Sequence, residues 1–139
     1  MATISREIRI DAGAADVWAV IGDFAAGPRR MAPDLVLDSH VDGDCRVVTF
    51  ADGTIARERL VTVDHPTRRI VYSVVGDTVR PVHDNAVMQV VPDGPDACRF
   101  VWTRDVLPDD LAPFMDTAMT TALPVIARTL SRRPGSGAA

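Results

Sequence analysis

Glu58 lies between two arginines in the run Ala56-Arg57-Glu58-Arg59-Leu60, and that spacing decides which way its carboxylate points. Neighbours on an extended strand face opposite sides. Turning Arg57 and Arg59 inward together would cost far more desolvation than turning one carboxylate inward toward a partner. Ala56, Glu58 and Leu60 are therefore expected to face the interior. An interior Glu58 is either a general base or a carboxylate neutralised by an arginine such as Arg104. Ile70, Tyr72 and Val74 share one face of a second alternating run, and Phe100, Trp102 and Arg104 share one face of a third. Tyr72, Trp102 and the Arg104 guanidinium would line a pocket with rings and hydrogen-bond donors that orient the polar end of a ligand.

His83 stands beside Asp84, and because imidazole titrates near neutrality His83 is a second candidate acid or base. The two residues alternate in direction, so they cannot form a dyad directly. His40 and His65 lack HxH or HExxH spacing and read as surface residues. Cys45 and Cys98 are too few and too far apart for a metal knuckle or a disulfide framework, and read as buried free thiols. No GxSxG, phosphate-binding glycine loop or dinucleotide fingerprint is present. Neither a metal nor a cofactor is expected.

Residues 3–10 alternate with Ile4, Ile8 and Ile10 on one side, which predicts an opening strand. Val17, Trp18, Ile21 and Phe24 then recur at three- and four-residue spacing after Asp11, which predicts a short helix. A second helical turn around Arg29-Arg30-Met31 is bounded by Gly27-Pro28 and Ala32-Pro33. From there to about residue 106, β-rich runs are separated by Asp42-Gly43-Asp44, Asp52-Gly53, Asp64-His65-Pro66 and Pro92-Asp93-Gly94-Pro95. Six further strands are predicted near 35–41, 45–51, 54–63, 69–75, 83–91 and 97–106, with Asp52-Gly53 as the tightest hairpin. After Leu107-Pro108 the spacing turns helical: Leu111, Met115, Ala118, Ala122, Val125 and Ile126 share a side, flanked by Phe114 and Met119. Asp109 or Asp110 is expected to cap this long helix, and Pro124, which removes a donor and clashes with the Thr120 carbonyl, to kink it from inside.

Such an order lacks the alternating strand and helix of a parallel sheet, so it predicts an α+β fold: a seven-stranded curved antiparallel sheet around a long C-terminal helix. One helix cannot cover so wide a twisted sheet. Aromatic residues are only 5% of the chain, so space is expected to stay open between the sheet and the helix face carrying Phe114, Met115 and Met119.

The 139 residues fit one domain, predicted over 1–133, with 134–139 as a disordered tail. A formal net charge of -4 offers no basic surface for nucleic acid. No apolar run approaches a membrane span and the N-terminal residues do not read as a signal peptide, so a cytoplasmic protein is expected. A monomer and a homodimer are both compatible with the sequence.

The segments Ile8-Arg9-Ile10-Asp11-Ala12 and Ala15-Asp16-Val17-Trp18-Ala19-Val20-Ile21-Gly22-Asp23-Phe24 resemble the opening of the polyketide cyclase/dehydrase and lipid-transport superfamily. This group shares the helix-grip fold of START domains and birch-pollen-allergen-type proteins. Arg57-Glu58-Arg59-Leu60, Asp64, Arg69-Ile70-Val71-Tyr72-Ser73-Val74, Pro81-Val82-His83-Asp84-Asn85 and Phe100-Val101-Trp102 extend the resemblance across roughly residues 3–130. It implies a cavity for a hydrophobic small molecule such as a polyketide, lipid or isoprenoid, with Asn85 where some relatives carry a tyrosine at the pocket. One function class is then a non-catalytic binder. The other is a cyclase or aromatase, with Glu58 or His83 as base and Tyr72 or Arg104 polarising a carbonyl.

Overall fold

In the computed structural model, which describes residues 1–132, the alternating runs form one sheet. Its strands are β1 (Ala2–Ile10), β2 (Val36–Asp42), β3 (Cys45–Phe50), β4 (Ile55–Asp64), β5 (Arg69–Asp77), β6 (His83–Pro92) and β7 (Cys98–Leu107). Helices α1 (Ala14–Ile21) and α2 (Gly27–Met31) follow β1, and a 3-10 turn over Asp109–Leu111 runs into α3 (Ala112–Leu130). Every strand pair is antiparallel, in the order β1-β7-β6-β5-β4-β3-β2, so β2 and β1 are the edges. Irregularities between Arg57 and Glu58, between Leu60 and Thr62, and at Leu37 bend the strands and give the sheet its concave face. This is the helix-grip architecture, and no helix of the described residues is long and apolar enough to cross a membrane. The tail expected at 134–139 lies outside the described residues.

Turn chemistry sets the registers. The two-residue turn Gly43-Asp44 joins Asp42 to Cys45, with Gly43 at φ +65°. The turn after β3 is longer than the sequence suggested: Phe50 N–H donates to the Thr54 carbonyl at 2.8 Å, which leaves Ala51, Asp52 and Gly53 in the loop. Gly53 takes φ +92°, a conformation open to glycine at little cost.

The core fills the concave face with Ile10, Ile21, Ile70, Val90, Phe100 and Val106, all almost fully buried. Over it α3 presents Met115, Met119, Leu123 and Ile126. Ala118, expected on that stripe, is exposed, whereas Pro124 points to solvent, where water can satisfy the Thr120 carbonyl its ring leaves free. Neither Asp109 nor Asp110 caps α3, because the 3-10 turn leads straight into the helix. Asp109 instead pairs with the N-terminal amine at 3.0 Å. Along β1, Arg6 grips Asp116 of α3 through two bonds of 3.0 and 2.8 Å. At the far end the Asp11 N–H donates to Ser131 Oγ, and the Arg132 N–H donates to the Asp11 carbonyl at 3.0 Å.

Candidate functional site

Arg46 of β3 and Glu58 of β4 are direct cross-strand partners on the concave face. Arg57 and Arg59 alternate away toward Asp42, Asp77 and Asp44 on the outer face. Arg46 Nε donates to Glu58 Oε1 at 2.7 Å, with the two residues 1% and 6% exposed. Arg46 Nη1 donates to the Phe24 carbonyl at 3.1 Å, and the guanidinium carbon sits 4.8 Å from both the Phe24 and Tyr72 ring centres. Two rings and a carboxylate together replace the water this cation has lost. Among the described residues Arg46 Nη2 and Glu58 Oε2 have no protein partner.

The partner of Glu58 is thus Arg46 and not Arg104. Arg104 lies deeper, 2.8 Å from Asp84 Oδ1 through Nε, although the contact is bent and gives neither atom a well-formed hydrogen bond. Asp84 Oδ2 accepts from the Val74 N–H at 2.8 Å. Burial raises the Asp84 carboxyl above its usual range, and the Arg104 charge opposes that rise. Arg104 Nη1 also lies 3.5 Å from Met115 Sδ.

Tyr72 stands between the two arginines, its ring 5.8 Å from the Arg104 guanidinium carbon. Its hydroxyl accepts from Trp102 Nε1 at 3.2 Å. Burial is the main cause that pushes the phenol up to about 12, against the pull of Arg104. At neutral pH Tyr72 is therefore a neutral hydroxyl.

Beside this polar ladder is a cavity of about 60 Å³. Its floor is Val48, Phe50 and Met88, its roof is Met31 of α2 with Ala122 and Ile126 of α3, and Arg46, Glu58, Tyr72 and Trp102 supply its polar wall. The space is enough for a few non-hydrogen atoms. It lies under the C-terminal half of α3, through Ala122 and Ile126, whereas Met115 and Met119 are buried in the core.

Of the residues that the sequence singled out, Glu58, Tyr72 and Trp102 meet at this cavity. Arg104, Met115 and Met119 are buried behind it and do not line it. Phe114 is 45% exposed on the outer side of α3, since it precedes the buried Met115 by one residue and points about a quarter turn away. His83 and Asn85 flank the inward Asp84 on β6 and so occupy the opposite face, His83 exposed and Asn85 half-buried. Neither reaches the cavity. Arg46 is the site residue that sequence reasoning missed, and its signal was the hairpin register that puts it opposite Glu58. No group of three potential metal ligands occurs among the described residues.

A profile of the family described as polyketide cyclase / dehydrase and lipid transport matches residues 1–132. No curated protein sequence matches the chain. Among solved structures, a Thermobifida fusca protein is similar with a TM-score of 0.74 at 26% identity, over 96% of this chain and 99% of that one. Norcoclaurine synthase from Thalictrum flavum, solved with dopamine and hydroxybenzaldehyde, superposes with a TM-score of 0.69 at 20% identity, over 91% of this chain and 84% of the other. BexL, a di-domain ARO/CYC protein of the BE-7585A biosynthetic pathway, gives a TM-score of 0.77 at 17% identity, over 93% of this chain and 46% of its own. At such identities the last two likenesses are likenesses of fold.

Proposed function

Since the chain belongs to the polyketide cyclase / dehydrase and lipid transport family, we propose that it binds a hydrophobic small molecule whose hydroxyl-bearing end enters the cavity beside Arg46 and Glu58. The observation that carries this reading is a mostly apolar cavity with a buried ion pair on its wall, each partner keeping one atom free. A paired Glu58 remains an acceptor, and Arg46 Nη2 remains a donor. A hydroxyl can serve both. A carboxylate would gain Arg46 but meet the charge of Glu58, and a plain hydrocarbon would leave both atoms unmet. The cavity holds only the polar end, so the apolar body of the ligand rests at the mouth, between α2 and α3.

Phenol, toluene and benzoate test this directly, because they share a ring and differ in the group offered to the pair. Methyl NMR shifts of Met31 and Met88 should move with phenol at the lowest concentration, and less with toluene or benzoate. Equal response to all three, or a preference for benzoate, would sink the proposal.

A second reading is supported by the carboxylate and the neutral phenol sharing one cavity wall. In a poly-β-ketone, Glu58 would take the proton between two carbonyls, the resulting carbanion would attack a distant carbonyl carbon, and Tyr72 would donate to that carbonyl's oxygen. Loss of water then completes the ring. Ring closure of a linear poly-β-ketone thioester, faster with this protein than without it and abolished in Glu58→Gln, favours the cyclase. An unchanged rate leaves the binder.

A further inference from the structure

The strand β2 ends the sheet, so one side of its backbone has no neighbouring strand among the described residues, while the Ser39 hydroxyl donates to the Ala25 carbonyl at 2.7 Å. The two-residue turn makes Asp42 and Cys45 a hydrogen-bonded pair. Alternation then makes His40 bond Val47 and turns the N–H and C=O of Ser39 and Val41 to the open side. Among the described residues, no backbone group of 37–42 bonds to anything beyond β3. The other edge is guarded, for β1 carries Arg6, Glu7 and Arg9 and is tied to α3 through Asp116. β2 instead leaves Leu37 and Val41 58% and 49% exposed.

The sequence of this edge is its own complement. Outward groups must meet outward groups, so an antiparallel copy can only be centred on a residue. Centred on Ser39, Asp38 faces the partner's His40 and Leu37 faces the partner's Val41. Centred on His40, Asp38 would face the partner's Asp42; centred on Asp38, two aspartates would face each other. Centred on Val41, only residues 40–42 would overlap, so charge and overlap together select one register. Within the free chain His40 Nδ1 lies 2.8 Å from Asp38 Oδ2, which leaves Nε2 to reach across.

We propose that the chain forms a two-fold homodimer by pairing β2 with β2 of a second copy, centred on Ser39, so that the two sheets become continuous. The extra residue at Leu37 shortens the ladder at its outer ends. The dimer is accordingly small in area and reversible.

Sedimentation velocity over a concentration series tests it with two variants, both on exposed side chains. Wild type should pass from monomer to dimer as concentration rises. His40→Asp places like charges across both ends and should weaken the dimer about tenfold or more. Asp38→Arg combined with His40→Asp places opposite charges across both ends in the same register and should recover it. A wild-type chain that stays monomeric at millimolar concentration overturns the proposal. So does a His40→Asp variant that dimerises normally, or a double variant no better than the single one.

Discussion

A carboxylate and a guanidinium held 2.7 Å apart and shielded from water depend on each other more than the fold depends on either. Glu58→Gln should cost about 3 kcal/mol or more, because it leaves the Arg46 charge buried without its counter-ion. Replacing both, as Arg46→Met with Glu58→Leu, should recover most of that loss, and urea unfolding of the three proteins measures the difference. Tyr72 yields a second outcome, since it is the chain's single tyrosine and phenolate absorbance reports it alone. The folded protein should hold the phenol proton to about 12, where the unfolded chain releases it near 10.0. Stability linked to the neutral phenol is complete below pH 10.0 and falls as pH rises to about 12. The loss is about 3 kcal/mol, since each tenfold difference in proton affinity between the folded and unfolded chains is worth ~1.4 kcal/mol, and Tyr72→Phe should lack this fall. The inward turn of Glu58 was legible because two arginines flank it. Its partner was not: reading Asp52-Gly53 as a two-residue turn sets Arg46 opposite Arg59, and only the longer loop shifts the pairing by the one residue that brings Glu58 across.

Helix α3 separates two kinds of substitution that the sequence could not tell apart. Ala122 borders the cavity, whereas Met119 is fully buried in packed core. Ala122→Leu should fill the open space, leave the melting temperature nearly unchanged or raise it, and weaken phenol binding in the NMR titration. Met119→Trp has no void to enter and should lower stability by ~1–3 kcal/mol through overpacking, with the cavity intact. Alternation and turn residues placed all seven strands within two residues of their ends, because one side of an antiparallel sheet must be apolar. The helix face was less legible. Ala118, Ala122 and Val125 are apolar enough to join either flank of a broad stripe, so periodicity alone fitted a line through Ala118 as well as the true one through Met119 and Leu123.

For the molecule as a whole, the fold and family follow from element order and a few local motifs, because burying one sheet face under one long helix admits few solutions. The cavity's place was harder to foresee, as it depends on which side chains pack solid beneath α3 and which stop short. The edge of β2 was read only as a strand, since self-complementarity becomes visible once its exposed side and its register are known. One further property follows from the way β1 and α3 are joined. The amino terminus meets Asp109 at the start of the helix, and Asp11 holds Ser131 and Arg132 at its finish. Residue 1 and residue 132 therefore emerge at opposite ends of the same strand and helix. Tension applied between them runs along β1, loading the whole β1–β7 ladder in shear at once instead of unzipping it rung by rung, so the chain is built to resist stretching from its ends.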